Sequence, residues 1–374
     1  MPTGQVLDES TSAIECLERV CERTDFQRRW REAEAARAGE RSDERATGLG
    51  LSLFLHGAGF TGNGERKMRS PVDARLTHRG EVEILTSMVD MGQGCVTIFP
   101  QMVREETGLG EGDVVLAEID TDRVPDSGPT VASRTTMIVG GCVVRAAKQV
   151  TDRVLEWWLS EQKPTGVLSL RDGVVRDSGG AEWSFREVAT ACVRENGDLL
   201  TRVHSEPPAW QKFDERTYQG AAYPAHSWGA NVVEVEADTD TLEIRPRRVT
   251  AVCEVGRVIH ETQCRGQVEG GTLQGIGWAL LEELKVEDGR YLNDRLATYM
   301  VPTFKDGPRI DVELLEKPSQ AGPFGAKGVG ELPMDGPAPA AAGAIENALG
   351  LEVAEIPATP ERLLEAKRVQ EKNR

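Results

Sequence analysis

The chain is short of basic residues, aromatic rings and histidine. It sets 44 Lys and Arg against 61 Asp and Glu, a formal net charge of -17. A surface of that sign argues against a nucleic-acid partner, which normally meets a basic stripe. The seven cysteines (Cys16, Cys21, Cys95, Cys142, Cys192, Cys253 and Cys264) are scattered, with no C-x-x-C pair and no histidine at zinc spacing. They read as reduced, mostly buried, small apolar residues, and no iron-sulfur pattern can be drawn from them. No cluster of His, Cys or carboxylates has metal-ligand spacing. No apolar run approaches the roughly twenty residues that span a membrane, and Met1-Pro2-Thr3-Gly4-Gln5 lacks a basic-then-apolar signal. The location expected from these absences is cytoplasmic.

At 374 residues, 39% hydrophobic and 28% charged, the chain can bury a substantial core as one large domain or two modest ones. Ile14, Leu17, Val20, Phe26 and Trp30 predict one or two amphipathic helices between Ser10 and Arg45. The polar stretch Ala33 to Thr47 is expected at the surface. Strands are predicted at Leu51 to Leu55, Glu81 to Met88 and Val114 to Ile119. A helix should run from just after Gly94 to near Gly108, and a long one over Thr136 to Leu159. Turn signals at Asp172-Gly173 and Ser178-Gly179-Gly180 predict a hairpin-plus-helix insertion within Val167 to Val203. Asn231 to Glu236 and Leu242 to Val255 read as antiparallel strands. Gly266 to Glu283 reads as a helix whose glycine-rich start implies close backbone packing, and Pro337 to Leu349 and Thr359 to Gln370 as two closing helices. Strands and helices alternate irregularly, so the expected class is α+β with mixed sheets and packed helices. Candidate subdomains are 1–160 and 220–374, around an insertion at about 165–205.

Gly57-Ala58-Gly59-Phe60-Thr61-Gly62 is a formal G-x-G-x-x-G after a strand. Asn63 to Met68 follows it, without the apolar helix that would set its N-terminus on a pyrophosphate, so a nicotinamide site is the weaker reading. Phe60 among glycines offers a stacking face to a flat substrate. Met91-Gly92-Gln93-Gly94 ends a strand and opens a helix, presenting backbone N–H groups and the Gln93 amide to a polar ligand. Asp126 to Thr136 places Thr130, Ser133 and Arg134 before the long helix, where they suit an anion or an N-capping cluster. Gly266 to Gly271 repeats the theme, with Gln267 at a helix start. Finally, Gly325-Ala326-Lys327-Gly328-Val329-Gly330-Glu331 puts one carboxylate at the end of a glycine-rich turn, a place suited to a general base. Each motif alone is equally a turn or a cap. Together, three donor-rich helix starts and one glycine-cradled carboxylate imply a large, polar, anionic cofactor held across several loops, with any metal carried inside it.

By those motifs, in that order, the chain resembles the molybdenum hydroxylases, the xanthine dehydrogenase and aldehyde oxidase family. The carrying residues are Gly57 to Gly62, Met91 to Gly94, Pro129 to Arg134, His226-Ser227-Trp228-Gly229-Ala230, Gly266 to Gly271 and Gly325 to Glu331. They cover the second, C-terminal half of that family's molybdopterin-binding region. The resemblance implies that Glu331 is the catalytic base, removing a proton from a hydroxyl on molybdenum. It implies that Gln93 and Gln267 hydrogen-bond the molybdenum centre or pterin, that Ala132 lies beside the metal, and that Thr130, Ser133 and Arg134 grip pterin and phosphate. It implies too that Gly92, Gly94, Lys327 and Gly328 adjoin the cofactor and that Phe60 and Thr61 belong to the substrate pocket. By the same resemblance no side chain would ligate the molybdenum, which the pterin dithiolene would hold.

The cofactor implied is molybdopterin with molybdenum, its plain or cytosine dinucleotide form left open. The family's upstream G-G-x-F-G loop is missing here, and Met1 to Leu17 already resembles the start of the second molybdopterin domain. The expected arrangement is therefore a split enzyme, similar to nicotinate dehydrogenase and bacterial purine hydroxylases. A large molybdopterin subunit would supply the other half of the site, and partner subunits the 2Fe-2S clusters and FAD. The expected substrate is a planar N-heterocycle, purine first and pyridine carboxylate second, and the chain alone should be inactive. Two other readings are a non-catalytic scaffold subunit, against which the intact Gly325 to Glu331 run speaks, and a nicotinamide-dependent oxidoreductase.

Overall fold

The computed structural model describes residues 1–7, 9–38 and 45–372. Of the polar stretch expected at the surface, residues 39–44 lie outside the described residues. Two helices open the chain, α1 (Ala13–Thr24) and α2 (Phe26–Ala38). The strand expected at Leu51 to Leu55 is the middle of a longer β1 (Arg45–Ala58), which leads to the short α3 (Gly64–Met68). Next come β2 (Val72–Leu76), β3 (Val82–Leu85), α4 (Cys95–Thr107) and β4 (Val114–Leu116). Gly108 ends α4 in the left-handed region, as a C-terminal glycine should. A π-helical turn, Thr135–Val139, feeds the long α5 (Gly140–Gln162).

The insertion forms as a meander, β5 (Leu168–Arg171), β6 (Val174–Asp177) and β7 (Glu182–Ser184), running into α6 (Phe185–Asn196). Ser184 and Glu187 close a reciprocal capping box at its start. β8 (Leu200–Val203), β9 (Phe213–Asp214) and β10 (Gln219–Gly220) precede the long pair β11 (Ala225–Asp238) and β12 (Ile244–Glu254). α7 (Glu261–Leu280), β13 (Val286–Glu287), β14 (Arg290–Tyr291), β15 (Arg309–Leu315), α8 (Leu332–Asp335), α9 (Pro337–Leu349) and α10 (Pro360–Lys372) complete the order. The class is α+β, as expected.

The chain divides into two compact units, each drawn from three segments. The first takes Met1–Leu7, Gly57–Ala225 and Pro318–Gly328; the second takes Asp8–His56, His226–Lys317 and Val329–Arg374. In the first unit a four-stranded sheet runs β4-β3-β2-β8, with β3 and β4 parallel and the other pairs antiparallel. Its apolar face, Val72, Ala74, Leu76 and Ile84, is buried along with Phe99, Met102 and Val103 of α4 and Val143, Val150 and Val154 of α5.

In the second unit the sheet runs β1-β11-β12-β15, with β11 and β12 antiparallel and β15 parallel to β12. Val233, Val235 and Val249 of this sheet pack with Ile276 and Ala279 of α7 and with Ala340, Ala344, Ile345 and Ala348 of α9. The sequence Gly48-Leu49-Gly50-Leu51-Ser52-Leu53-Phe54-Leu55-His56 alternates with period two, so its even residues share one face of β1. Gly48 and Gly50 lie directly on the α9 backbone at Ala340, Ala344 and Ala348, where a Cβ would overlap it. Further along the same face Ser52 donates to the Gly336 carbonyl at 2.8 Å, and the Phe54 ring lies against Gly336.

Candidate functional site

That β1 face ends on the acidic residues of α8. His56 places Nδ1 3.0 Å from Asp335 Oδ2 and Nε2 3.3 Å from Glu331 Oε2. Glu331 is the N-cap residue of α8, four positions before Asp335, so the two carboxylates fall on one side of a single helical turn. Leu332 anchors the turn from within: it is fully buried among Ala251, Cys253, Val255, Val268 and Val312. Pro333 packs on Gly271 and Pro337 on Gly275 of α7, the close helix approach that its glycines implied. The Glu331 side chain is 48% exposed, so it is a carboxylate fixed at its base, held at one oxygen by His56 and still half open to solvent. The Asp335 hydrogen bond leads the influences that raise the His56 pKa; burial opposes it, and the charges of Asp335 and Glu331 reinforce it.

Gln267 belongs to the same unit, but not at a helix start. α7 begins at Glu261, five residues before the predicted boundary, with the His260 side chain accepting from the Gln263 N–H as its cap. Gln267 therefore sits in the second turn, where its own backbone N–H is inside the helix ladder. The glycine-rich sequence hid the true start, because the helix opens on Glu261-Thr262-Gln263-Cys264, before the glycines.

The other predicted site residues lie in the first unit, on loops that touch one another. The Gly59 N–H donates to the Ala132 carbonyl at 2.8 Å. Ala132 and Ser133 both take left-handed backbone, at φ 55° and 50°, a conformation that non-glycine residues hold only when their surroundings impose it. Gly328 packs so closely on the Ser133 carbonyl that a Cβ there would overlap it. Thr130 Oγ1 accepts from the Val89 N–H at 3.0 Å, tying in the loop that carries Gly92 to Gly94. Lys327 is 3% exposed. Thr61 Oγ1 lies 2.5 Å from the Tyr223 hydroxyl. Four of the motifs read as separate turns thus form one cradle.

Arg134 organises the cradle. Its guanidinium donates to both Glu65 carboxylate oxygens at 2.8 Å, to the Ser127 carbonyl at 3.0 Å, to the Pro129 carbonyl at 3.3 Å and to the Ser70 hydroxyl. Its side chain is wholly buried and its five N–H bonds are spent on the protein, so it braces the loop and has none left for a phosphate. Glu65 also accepts from the Phe60 N–H at 3.1 Å, and the Arg134 charge lies 5.9 Å from the Phe60 ring centroid. At Gly92 to Gly94 the helix-start N–H groups are likewise occupied. Asp90 accepts from Gly92, Gly94 and Val96; although burial works against its charge, those donors hold its carboxyl below the usual range. Gln93 folds back, donating to the Val89 carbonyl at 2.7 Å and accepting from the Met91 N–H at 2.6 Å. Gly92, at φ 107°, faces open space.

Four residues were missed in the sequence: His56, Glu65, Asp90 and Tyr223. The β1 alternation marks His56 as facing the same way as Phe54, and Asp90 stands where an N-terminal acidic cap is looked for. Glu65 and Tyr223 carry no comparable local signal.

Among the described residues no group of three or more His, Cys, Asp or Glu could hold a metal ion. The molybdopterin cofactor-binding domain pattern matches residues 19–308. The chain belongs to that molybdopterin-binding family. It is 30% identical over 334 residues to the 6-hydroxypseudooxynicotine dehydrogenase complex subunit gamma of Paenarthrobacter nicotinovorans, covering 86% of this chain and 40% of that protein. It is 31% identical over 328 residues to a probable xanthine dehydrogenase subunit of Bacillus subtilis (strain 168), covering 85% and 42%. Its fold is similar to that of quinoline 2-oxidoreductase from Pseudomonas putida 86, with a TM-score of 0.77 and 26% identity over 96% of this chain and 46% of that one. The molybdopterin-binding chain thus spans less than half the length of these relatives. No helix among its described residues is long and apolar enough to cross a membrane.

Proposed function

We propose that the chain is the molybdopterin-binding catalytic subunit of a cytoplasmic, multi-subunit molybdenum hydroxylase. Its reaction would place water-derived oxygen on an electron-poor carbon of a planar N-heterocycle, a purine first and a nicotinate-like pyridine second. The observation that carries this reading is Glu331: one carboxylate at the end of the Gly325 to Gly330 run, anchored through Leu332 and about half exposed.

When bound, the molybdopterin supplies the activated oxygen and accepts the two electrons. Glu331 would take the proton from the water-derived hydroxyl whose oxygen is transferred. Ala132, Ser133 and Gly328 bring backbone close to the pterin, with Lys327, Thr130, Gly92, Gln93 and Gly94 around them and Gln267 as a further contact. Arg134 and Glu65 keep Phe60 in place, and Phe60 and Thr61 receive the flat ring. In this reading a large partner subunit would supply the rest of the site and 2Fe-2S and FAD subunits would carry the electrons away; two relatives are themselves named as subunits of such enzymes. The chain alone is then inactive.

Glu331→Gln in the assembled enzyme should lower kcat by at least about 100-fold while leaving its molybdenum content unchanged. Turnover within about tenfold of wild type would contradict the assignment. Steady-state screening of purines, pyridine carboxylates and a simple aldehyde separates the substrate classes, with hypoxanthine or xanthine expected first.

A further inference from the structure

The five even residues from Gly48 to His56 of β1 lie along the segment from Glu331 to Ala348, and the last of these five is a histidine. Two carboxylates four residues apart on one helical turn repel each other. His56 stands between them, one ring nitrogen on each: Nδ1 on Asp335 at 3.0 Å and Nε2 on Glu331 at 3.3 Å. A neutral imidazole has one N–H and can donate to only one of them; an imidazolium donates to both. The three side chains are 26%, 33% and 48% exposed for His56, Asp335 and Glu331, so the ring is the most enclosed and the Glu331 tip the most open.

We propose that His56 is the positioning residue of Glu331: Asp335 fixes the imidazole, and the imidazole holds the Glu331 carboxylate in one orientation until it takes its proton. The inference rests on reading Glu331 as the base. His56 touches neither substrate nor cofactor in this role and acts through Glu331 alone. Its anchorage is that of a fixed element, since Ser52 and Phe54 on the same strand face hold the next residue after Asp335. The charged groups that act on the ring are Asp335 and Glu331, both of which favour its protonated form.

The test has two readouts. In the full chain labelled with nitrogen-15 histidine, five ring systems are followed against pH by NMR, with His56 assigned through His56→Gln. His56 should titrate above the usual value of about 6.5, and its pKa should fall in both Asp335→Asn and Glu331→Gln. In the assembled enzyme, His56→Leu should lower kcat by about 100-fold, with KM nearly unchanged. His56→Gln, whose amide can still donate to one carboxylate, should recover part of that loss, and at about pH 9, where the His56 contacts add least, both variants should unfold near the wild-type temperature.

If Glu331→Gln leaves turnover intact, the base assignment fails and the positioning role falls with it. If Glu331→Gln abolishes turnover while the His56 titration ignores both carboxylate substitutions and His56→Leu turns over like wild type, the positioning role alone is refuted.

Discussion

Replacing Glu65 with glutamine should unfold the first unit at a much lower temperature, because Glu65 is the counter-charge of a fully enclosed arginine. The Glu65 and Arg134 side chains are 2% and 0% exposed, and two 2.8 Å hydrogen bonds join them. Glu65→Gln keeps one acceptor oxygen, removes the negative charge and turns an NH2 group toward the guanidinium. Arg134 is left with two carbonyls and the Ser70 hydroxyl, none of them charged. Breaking a buried ion pair from one side costs about 3–5 kcal/mol. In a unit of roughly 150–250 residues each kcal/mol lowers the midpoint by about 2–4 °C, so the transition should fall by about 6–20 °C. Differential scanning calorimetry of the full chain reads this directly. The double variant Glu65→Leu, Arg134→Met removes both charges and should recover most of the loss. A Glu65→Gln transition within about 2 °C of wild type, or a double variant less stable than the single one, would refute the brace.

Leu332→Ala should cost about 2–5 kcal/mol, because the side chain fills a closed cluster; chemical denaturation measures it, and a loss below about 1 kcal/mol would contradict the anchor. Gly328→Ala should push the loop away from the Ser133 carbonyl and lower molybdenum per chain in the assembled enzyme, read by elemental analysis. Burial raises the thiol pKa values of Cys16 and Cys95 to about 12, with Asp90 adding to the effect at Cys95. A thiol reagent at about pH 8 should therefore label Cys16, Cys95, Cys142, Cys192 and Cys253 only after unfolding. The His56 pKa is raised, so the stability its contacts add is fully present below about pH 6.5 and fades as pH rises through the folded value. The stability gap between wild type and His56→Gln should narrow from about pH 6 to pH 9; a widening gap would reverse the sign of the argument.

Long, strongly patterned elements were legible in the sequence. α9 runs over Pro337–Leu349 as its Ala-rich sequence foretold, and α4 ends at Gly108 because glycine accepts the left-handed turn there. β2 and β15 were not read, since Val72–Leu76 and Arg309–Leu315 mix charge into short strands whose pairing comes from distant segments. At the site, glycine runs marked where backbones approach, as at Gly328 and Ser133. The assignment of free donors was less legible: whether a helix-start N–H or a guanidinium is available depends on which acceptor folds onto it. Asp90 is two residues from the first of the N–H groups it takes, whereas Glu65 is 69 residues from Arg134. His56 was hidden for the related reason that strand alternation tells which face a side chain shares but not what lies opposite.

The most direct test of the central claim is the molybdenum content of the complex that this chain forms in its native host, purified through a tag on the chain and measured by elemental analysis. Molybdopterin binding by a split hydroxylase predicts on the order of one molybdenum per chain, together with iron and a second cofactor-binding polypeptide. A stable, catalytically competent complex that contains this chain and no molybdenum would contradict it.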